Sequence, residues 1–589
     1  MRSLRGIVRR AVAVLRPLSA PLERFRWRAL GAGRSVLTAR RRRKLRRAGS
    51  AVRAVSVPGG PGLCGRVVER YSAGAAAAED LDLVAGVLDA AGIPYFLVPG
   101  MARQRYTVGV EEPFRARLLA EAAARLGGGP AYAAAVPARG ADGPGGAAAP
   151  GGRPGPVALW ADGRLPRAVR RAEVLRVGVI RLGEGGHAPR DPMATGCDIE
   201  FWRSGEQAGP GGADGTWLTV PGRRLTDSFR ESLVAPRPNR VSEVVPVEAR
   251  KPAFVRPAGR EVPTFQPFAE TLADEVTFPV DAVFTWVDGS DPALAERRRR
   301  HLPRQGPGIA AREVGASRYT SHDELKYSLR SLAMYAPFVR HVYLVTDQQV
   351  PSWLDTSAPG LTVVDHREIL PHSALPVFNS HAIESRLHRI PRLAERYLYF
   401  NDDVFLNRPM RAEDFFHANG IARIPFSPLK LGLGPPHPLE PAPNSAGKNV
   451  RELLLLTHGR FAVHKFLHTP HPQIRAVMEE IEEAGFEALT GTTHSRFRAI
   501  TDLAPAATLH HHWALLTGRA VPGEYKFRYI DVGKPGLHTR LARLAGADID
   551  VFCLNDVDTA PASRPAVHAR LRAFLTRTYP FRSPWELPA

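Results

Sequence analysis

Two adjacent aspartates, Asp402 and Asp403, lie between the apolar runs 397–400 and 404–406. Placing two carboxylates between hydrophobic runs is unfavourable unless something compensates their charge. A divalent cation does so, because Mg²⁺ binds one or two carboxylates together with substrate phosphates. A solvated surface turn is the alternative, and the apolar flanks make it the weaker one. We therefore expect Asp402 and Asp403 to hold a metal ion or an acceptor.

A second acidic segment follows the strand-like run 280–287 and contains Asp288, Gly289 and Asp291. Gly289 permits close approach to the backbone, and Trp286 could stack on a base or a sugar ring. A polar β-turn after a buried tryptophan explains the same pattern equally well, so spacing alone does not decide between the two.

Two polar side chains, Asn379 and Ser380, precede a helix predicted to begin near His381. Either one can cap that helix, and a helix N-terminus also attracts phosphate. Capping is the commoner role, and the two roles are compatible. Further along, Arg498 could clamp phosphate oxygens, or it could pair with Asp502, four residues later.

Seven histidines lie between residues 464 and 512: His464, His468, His471, His494, His510, His511 and His512. His464 and His468 have the i, i+4 spacing of a zinc pair if their segment is helical. However, Pro470 interrupts that segment, and no HExxH pattern is present. A neutral imidazole acting as general base on a hydroxyl is the better functional interpretation, although a structural role is commoner for any single histidine.

The elements that position these residues alternate between strands and helices. Strand-like runs at 280–287, 342–345, 361–364 and 397–400 each end in polar residues, and helical segments such as 323–335 lie between them. This alternation predicts a largely parallel sheet with right-handed crossovers, in which ligands bind beyond the carboxyl ends of the strands. We predict an α/β fold with a Rossmann-like, mostly parallel sheet at 278–589.

Upstream of that core, residues 61–235 alternate predicted helices and strands and should form a smaller N-terminal α/β domain. Residues 236–277 are rich in proline and are predicted to be a linker. The three cysteines, Cys64, Cys197 and Cys553, are far apart. This sparse set argues against a disulfide framework and fits a reducing, cytoplasmic compartment.

The formal charge of +22 is concentrated in residues 1–60, where seventeen Arg or Lys face a single acid, Glu23. No continuous apolar run reaches the length of a signal peptide core or of a membrane span. The mixture of arginines with Leu, Val and aromatic residues fits the surface of an anionic membrane or a disordered tail. Nucleic acid is the weakest explanation. We expect a cytoplasmic protein without a nucleic-acid partner, soluble or peripheral at the inner face of the membrane.

Four segments in this order resemble the conserved blocks of the Stealth family. That family includes bacterial capsular polysaccharide phosphotransferases and the catalytic subunit of lysosomal-enzyme N-acetylglucosamine-1-phosphotransferase. The four segments are residues 280–292, 318–405, 468–498 and 553–556. The resemblance implies a Rossmann-like, mostly parallel nucleotide-sugar transferase core at 278–589, and it leaves residues 1–270 outside it.

The resemblance implies an activity: a sugar-1-phosphate moves from a UDP-sugar to a glycan hydroxyl in capsular or cell-wall polysaccharide synthesis, with Mg²⁺ or Mn²⁺. It implies a donor and phosphate site formed by Asp281, Trp286, Asp288, Gly289, Asn379, Ser380 and Arg498. It implies a metal site and a base formed by Asp402, Asp403, Asn555, Asp556 and either His468 or His471.

Two other functions fit parts of the sequence. An ordinary metal-dependent glycosyltransferase also uses acids after a strand, but there the acceptor attacks the anomeric carbon of the donor sugar and UDP leaves. A non-enzymatic basic protein tethered by residues 1–60 would use the charged arm alone.

Overall fold

The computed structural model describes residues 41–45, 52–55, 63–102, 104–137, 157–208, 230–302, 321–557 and 559–588. The chain divides into two compact units, with the boundary between Thr271 and Leu272. Most of the basic arm lies outside the described residues, so the predictions for it stay predictions. Within the described ranges, no helix combines the length and the apolar character that a bilayer crossing requires.

The N-terminal unit is built on a mixed eight-stranded sheet with Ala131–Val136, Val174–Val179 and Cys197–Ser204 as antiparallel neighbours at its centre. Helix Ala73–Ala91 and helix Arg115–Leu126 contribute buried leucines and valines to its main core. Its other strands are Val52–Val55, Leu63–Val67, Phe96–Val98, Thr107–Glu111, Val157–Leu159, Arg181–Leu182, Leu233–Val234, Val244–Val245, Pro252–Val255 and Val262–Phe265.

The proline-rich stretch expected to be a linker belongs mainly to this unit. Its strands Pro252–Val255 and Val262–Phe265 pair with each other. The Thr264 hydroxyl donates to the Leu97 carbonyl at 2.7 Å, and the Phe265 ring lies 4.5 Å from that of Phe96. Aromatic burial therefore holds this segment in place, although its proline content alone predicts a linker.

The C-terminal unit contains twelve strands among its described residues, which we number along the chain. They are β1 Val280–Thr285, β2 Val339–Thr346, β3 Leu361–Asp365, β4 Arg396–Asn401, β5 Val404–Leu406, β6 Ala422–Ile424, β7 Phe426–Lys430, β8 His464–Phe466, β9 His471–Ile474, β10 Ala520–Pro522, β11 Phe527–Asp531 and β12 Val551–Asn555. Its longer helices are Pro292–His301, Glu324–Tyr335, Ala442–His458, Arg475–Glu483, Glu487–His494, Leu537–Gly546 and Arg564–Thr578.

The main sheet of this unit has the order β3-β2-β1-β4-β9. Its first four strands are parallel, and β9 runs antiparallel to β4. The prediction of an α/β fold with a largely parallel sheet is confirmed. The chain builds outward from β1 to β3 and then places β4 on the other side of β1. At the carboxyl ends of β1 and β4, Thr285 is therefore directly opposite Asn401.

A second, smaller sheet has the order β5-β12-β11, and its first strand follows β4 in the chain. Helix Glu324–Tyr335 is tied to it by two serines. Ser328 donates its hydroxyl proton to the Val404 carbonyl, and Ser331 accepts the Leu406 N–H at 3.1 Å. These bonds fix the middle of the helix beside β5, the strand that follows the turn after β4.

Candidate active site

The turn between β4 and β5 consists of Asp402 and Asp403, at the carboxyl end of the parallel sheet. Asp403 accepts hydrogen bonds from three side chains. His468 Nε2 lies 3.3 Å from Oδ1, and Asn555 Nδ2 and Cys553 Sγ donate to Oδ2 at 2.9 and 3.1 Å. Burial acts to raise the pKa of Asp403, but these neighbours outweigh it and lower the pKa below its ordinary value.

Asp402 and Glu324 lie close enough for their charges to interact. Burial, followed by the charge of Asp403, raises the pKa of Asp402 to about 7. Burial and the charge of Asp402 raise the pKa of Glu324 well above its usual range. Glu324 is 5% exposed at the start of its helix. These acids therefore repel one another in a poorly solvated place.

Asp556 is connected to Glu324 through His322, which bonds to both. His322 Nε2 donates to Asp556 Oδ2 at 3.1 Å, while the backbone N–H of His322 donates to Glu324. Asp556 also accepts the Thr559 N–H at 2.9 Å. Burial raises the pKa of Asp556, yet the hydrogen bonds from His322 and Thr559 bring it below its usual value.

The two candidate base histidines have different surroundings. The His468 side chain is 34% exposed and contacts Asp403. Burial would lower the pKa of His468, but the Asp403 carboxylate outweighs it and raises the pKa. His471 is 2% exposed in β9, and burial lowers its pKa to about 3. His468 is thus the one that an incoming hydroxyl can reach. The helical zinc pair is excluded, because His464 lies in strand β8.

His510, His511 and His471 form a hydrogen-bond chain in which each proton has a defined position. The Ile474 N–H donates to His510 Nε2 at 2.8 Å, so a neutral His510 carries its hydrogen on Nδ1. That nitrogen lies 3.3 Å from His511 Nδ1, and His511 Nε2 lies 3.0 Å from His471 Nδ1. Because burial lowers the pKa of all three, each stays neutral, and His471 carries its hydrogen on Nε2.

The turn after β1 carries Trp286, Asp288 and Gly289, all half-buried beside the end of the sheet. Asp288 Oδ1 accepts the N–H and the hydroxyl of Ser290 at 2.8 and 2.6 Å. Gln349, which follows β2, bonds to the backbone N–H and carbonyl of Asp288 at 3.0 Å each. The segment that follows β2 therefore holds this turn in place.

The structure separates the roles of Asn379 and Ser380. Asn379 is fully buried and caps the short helix Ser380–Glu384 by accepting the His381 N–H at 3.1 Å, and its amide donates to Asp502 at 2.8 Å. It therefore acts as a cap. Half-buried Ser380 accepts from Arg498 at 2.9 Å, so these two side chains stand together.

Asp281 does not join the others. It is the second residue of β1, at the amino end of the strand, and is completely buried. Its carboxylate accepts two hydrogen bonds from Arg340 at 2.9 and 2.6 Å and the Ala394 N–H at 2.7 Å. This position gives no support to the expected contact with a nucleotide, and Asp281 instead joins segments at the opposite edge of the sheet.

Another acid that the sequence analysis overlooked, Glu384, adds to the negative charge around His468. It is 8% exposed and accepts the Tyr399 hydroxyl at 3.3 Å. That hydroxyl also lies 3.1 Å from the hydroxyl of Thr285 and accepts from Asn401 at 3.3 Å. The ends of β1 and β4 are thus linked by one polar network.

The donor set fits a hard divalent cation. Asp402 and Glu324 are acids whose mutual repulsion a cation would relieve. Asp403, His468 and Cys553 also place an oxygen, a nitrogen and a sulfur within 4.8 Å of one another. However, burial and Asp403 raise the pKa of the Cys553 thiol, so it remains a hydrogen-bond donor. Carboxylate oxygens favour Mg²⁺ or Mn²⁺ over a softer ion.

Comparison with known proteins places the chain in a family. Models of Stealth protein conserved regions 1, 2, 3 and 4 match residues 278–304, 318–424, 467–515 and 542–589. An exopolysaccharide phosphotransferase of Streptomyces coelicolor is 40% identical over 86% of this chain and 82% of its own length. The exopolysaccharide phosphotransferase CpsY of Mycobacterium tuberculosis is 32% identical over 86% of this chain and 88% of its own.

The chain belongs to the Stealth family. The predicted resemblance is confirmed, and so is the prediction that the protein is a phosphotransferase. Each Stealth conserved region contributes to the polar network: Thr285 comes from the first, Glu324 with Asp402 and Asp403 from the second, His468 from the third, and Asn555 with Asp556 from the fourth.

Proposed function

We propose that this Stealth protein transfers a sugar-1-phosphate, such as N-acetylglucosamine-1-phosphate, from a UDP-sugar to a glycan hydroxyl in exopolysaccharide synthesis. The exopolysaccharide phosphotransferases among its relatives support the acceptor class. The donor is proposed from the chemistry of the site.

One observation carries the proposal. Glu324, Asp402, Asp403 and His468 come from distant parts of the chain and converge beyond the carboxyl ends of parallel strands. Buried acids in excess over their cationic partners are expected where a bound cation and a phosphorylated substrate supply the missing charge balance.

The sheet supports a nucleotide as part of the donor. In the sheet order β3-β2-β1-β4, the chain adds β2 and β3 on one side of β1 and β4 on the other. Open α/β sheets bind ligands where the strand order switches sides in this way. This is the basis for proposing a Rossmann-like core. Trp286 and Asp288 follow β1 at this place, so we assign the nucleotide to the turn that Gln349 braces.

Glu324, Asp402 and the amide oxygen of Asn555 are the groups that we propose hold Mg²⁺ or Mn²⁺. When bound, such an ion neutralises charge on the phosphates of the donor. Asp403 takes a different part, because three protein donors already occupy its oxygens. We propose that Asp403 orients His468 and stabilises its protonated form.

His468 Nδ1 is the proposed base, since Nε2 faces Asp403 and Nδ1 makes no hydrogen bond within the described ranges. As the acceptor oxygen forms its bond to the phosphorus next to the sugar, its proton passes to Nδ1. The bond from that phosphorus to the leaving UMP oxygen breaks, and a phosphodiester remains. Arg498, held against Ser380, would pair with the negative charge of the phosphoryl group.

Product analysis tests this proposal against the glycosyltransferase alternative. Purified protein is incubated with a panel of UDP-sugars and glycan acceptors, with Mg²⁺ or with a chelator. Phosphorus NMR should show a new phosphodiester, chromatography should show UMP, and both should vanish with the chelator. Release of UDP without a phosphodiester would overturn the proposal and favour a glycosyltransferase.

A further inference from the structure

Exposed apolar side chains are concentrated in one part of the C-terminal unit, residues 426–466, which we call the leucine module. It comprises β7, helix Ala442–His458 and β8. Among the described residues, fifteen large hydrophobic side chains are exposed, and seven of them fall within 35 residues of this module: Leu429, Leu433, Leu439, Leu455, Leu456, Phe461 and Val463. Three of them, Leu433, Leu439 and Leu456, are about 80% exposed or more. Such a concentration marks an interaction surface.

The module is a folded element. The Leu431 N–H donates to the Val463 carbonyl at 3.0 Å, and the Leu431 side chain packs against Gly447 of the helix, where a Cβ atom would lie only 2.5 Å from it. Arg451 is buried and donates to the Ala462 carbonyl at 2.7 Å. These contacts give the segment that carries the exposed leucines a defined fold.

The charged groups of the module are mostly basic. Lys430 and Arg460 are exposed and Lys465 is half-buried, whereas Glu452 is the exposed acid of the module. The other acid, Glu440, is paired with Lys448 at 3.0 Å. Apolar side chains accompanied by cations fit the boundary between the headgroups and acyl chains of an anionic bilayer. Leucine side chains cannot form hydrogen bonds with the hydroxyl groups of a glycan, so a glycan is a poorer fit to this surface.

The module is directly connected to the active site. Strand β8 ends at Phe466, two residues before His468. The Phe466 ring stacks on Phe426 of β7 at 5.0 Å and lies 4.8 Å from the ring of His511. A surface bound by the module would therefore lie against the same element that positions the proposed base.

We propose that the leucine module seats this enzyme on an anionic lipid bilayer, with Leu433, Leu439 and Leu456 inserted among the acyl chains. This goes beyond the proposed function, which assigns donor and acceptor chemistry but no membrane surface. It also differs from the prediction for the basic arm, because the module contributes apolar insertion as well as charge.

A fluorescence experiment on the full chain separates the module from the arm. The described cysteines, Cys64, Cys197 and Cys553, are buried, so Leu433→Cys offers a selectively reactive thiol for an environment-sensitive dye. Phe254→Cys in the N-terminal unit is the matched control, because Phe254 is 63% exposed and lies outside the module. The probe surfaces are vesicles rich in phosphatidylglycerol and vesicles of phosphatidylcholine alone.

We expect phosphatidylglycerol vesicles to shift the dye emission at position 433 to the blue, and lipids with acyl-chain quenchers to quench it. Neither change should occur at position 254. Changing Leu433, Leu439 and Leu456 together to Ser should weaken vesicle partitioning in high salt at least about tenfold. Turnover of soluble substrates by that triple variant should be unchanged, which keeps this test separate from that of the proposed function.

The proposal is overturned if the protein cosediments with vesicles while the dye at 433 stays in water, since the arm alone would then bind. It is equally overturned if no vesicle binding occurs. A blue shift that depends on protein concentration without lipid would assign the surface to a second copy of the chain.

Discussion

Each unit of this protein buries a cluster of charged side chains, and the two clusters are balanced in opposite ways. In the N-terminal unit, Asp198 is completely buried and binds Arg176 at 2.7 Å and Arg237 at 2.9 Å, while Glu200 binds Arg237 at 2.6 Å. Burial would raise the pKa of Asp198, yet the arginines, Arg176 first, lower it well below its ordinary value. In the C-terminal unit, burial and mutual repulsion raise the pKa of both Asp402 and Glu324.

The difference distinguishes a structural cluster from one for which we propose a function. Where the protein supplies its own counter-charges, removing one partner leaves an uncompensated buried charge and destabilises the fold. Where acids outnumber cationic partners, repulsion between the carboxylates lowers the stability of the fold, and a bound cation can relieve it. The comparison predicts that equivalent Asp-to-Asn changes have opposite consequences in the two units.

The largest effect is expected for Asp402→Asn. It removes a proposed metal ligand and should lower turnover at least about 10³-fold. Because it also relieves repulsion with Asp403 and Glu324, the melting temperature without divalent ions should stay equal or rise. Turnover and thermal unfolding would be measured on the same preparation. An unchanged turnover would remove Asp402 from the metal site.

The matched change in the other unit, Asp198→Asn, should act on stability. It leaves Arg176 and Arg237 without their shared carboxylate, which costs about 3–5 kcal/mol for a buried pair. Denaturant unfolding should show this loss in the N-terminal unit. Turnover per folded molecule should remain normal, and a selective loss of turnover would mean that this cluster also takes part in catalysis.

The third change sharpens the assignment of the base. His468→Asn should reduce kcat by about 10²–10⁴-fold, the usual contribution of a general base. His494→Asn is the control, because this exposed histidine contacts Ser373 and a backbone carbonyl away from Asp403. Steady-state kinetics would decide, and equal kcat values for the two variants would exclude His468.

Asp281→Asn should cost about 1–3 kcal/mol of stability. One of the two accepting oxygens becomes an NH2 group, which cannot accept from Arg340 or Ala394, and the negative charge that pairs with Arg340 is lost. Its kcat and KM should match those of the unchanged protein, because the residue lies at the amino end of β1. A specific increase in KM for the nucleotide-sugar would return Asp281 to the donor site.

The smallest effect concerns pH. The pKa of Asp402 in the folded, metal-free protein is about 7, above the unfolded value of about 3.9. The folded state therefore binds the proton more tightly, so stability should rise as pH falls from 8 to 6 in a chelator, by roughly 2–4 °C in melting temperature. Mg²⁺ at pH 8 should restore this stability. The Asp402→Asn variant should show a smaller response to pH and to Mg²⁺, and the remainder is expected from Glu324 and His468, whose pKa values are also raised. An undiminished response in this variant would exclude Asp402 as its source.

Local patterns in the sequence predicted much of the catalytic unit. The predicted runs at 280–287, 342–345, 361–364 and 397–400 correspond to β1–β4, and a polar residue at the end of each run indicated the functional edge. Asn379 was one of two candidate caps, beside Ser380, and the structure assigns the role to Asn379, which bonds to the N–H two residues later. Such features are visible because their causes are close in sequence.

The residues that were overlooked depend on contacts between distant segments. His322 and Glu384 take their places only when strand ends and helix starts meet, as in the bond from His322 to Asp556. Glu324 did leave a signal, since it shares a helix face with Ser328 and Ser331 at i, i+4 and i+7. That polar stripe indicates a helix packed against something other than a purely apolar surface.

The bonds from Cys553 and Asn555 to Asp403 have a consequence for biosynthesis. A nascent chain that has emerged from the ribosome only as far as residue 515 has β4 and both aspartates, but lacks two of the three donors that stabilise Asp403. Until β12 joins β5, the carboxylates of this partial product have no complete set of partners. Translation therefore completes the set of partners of Asp403 only when β12 has been made.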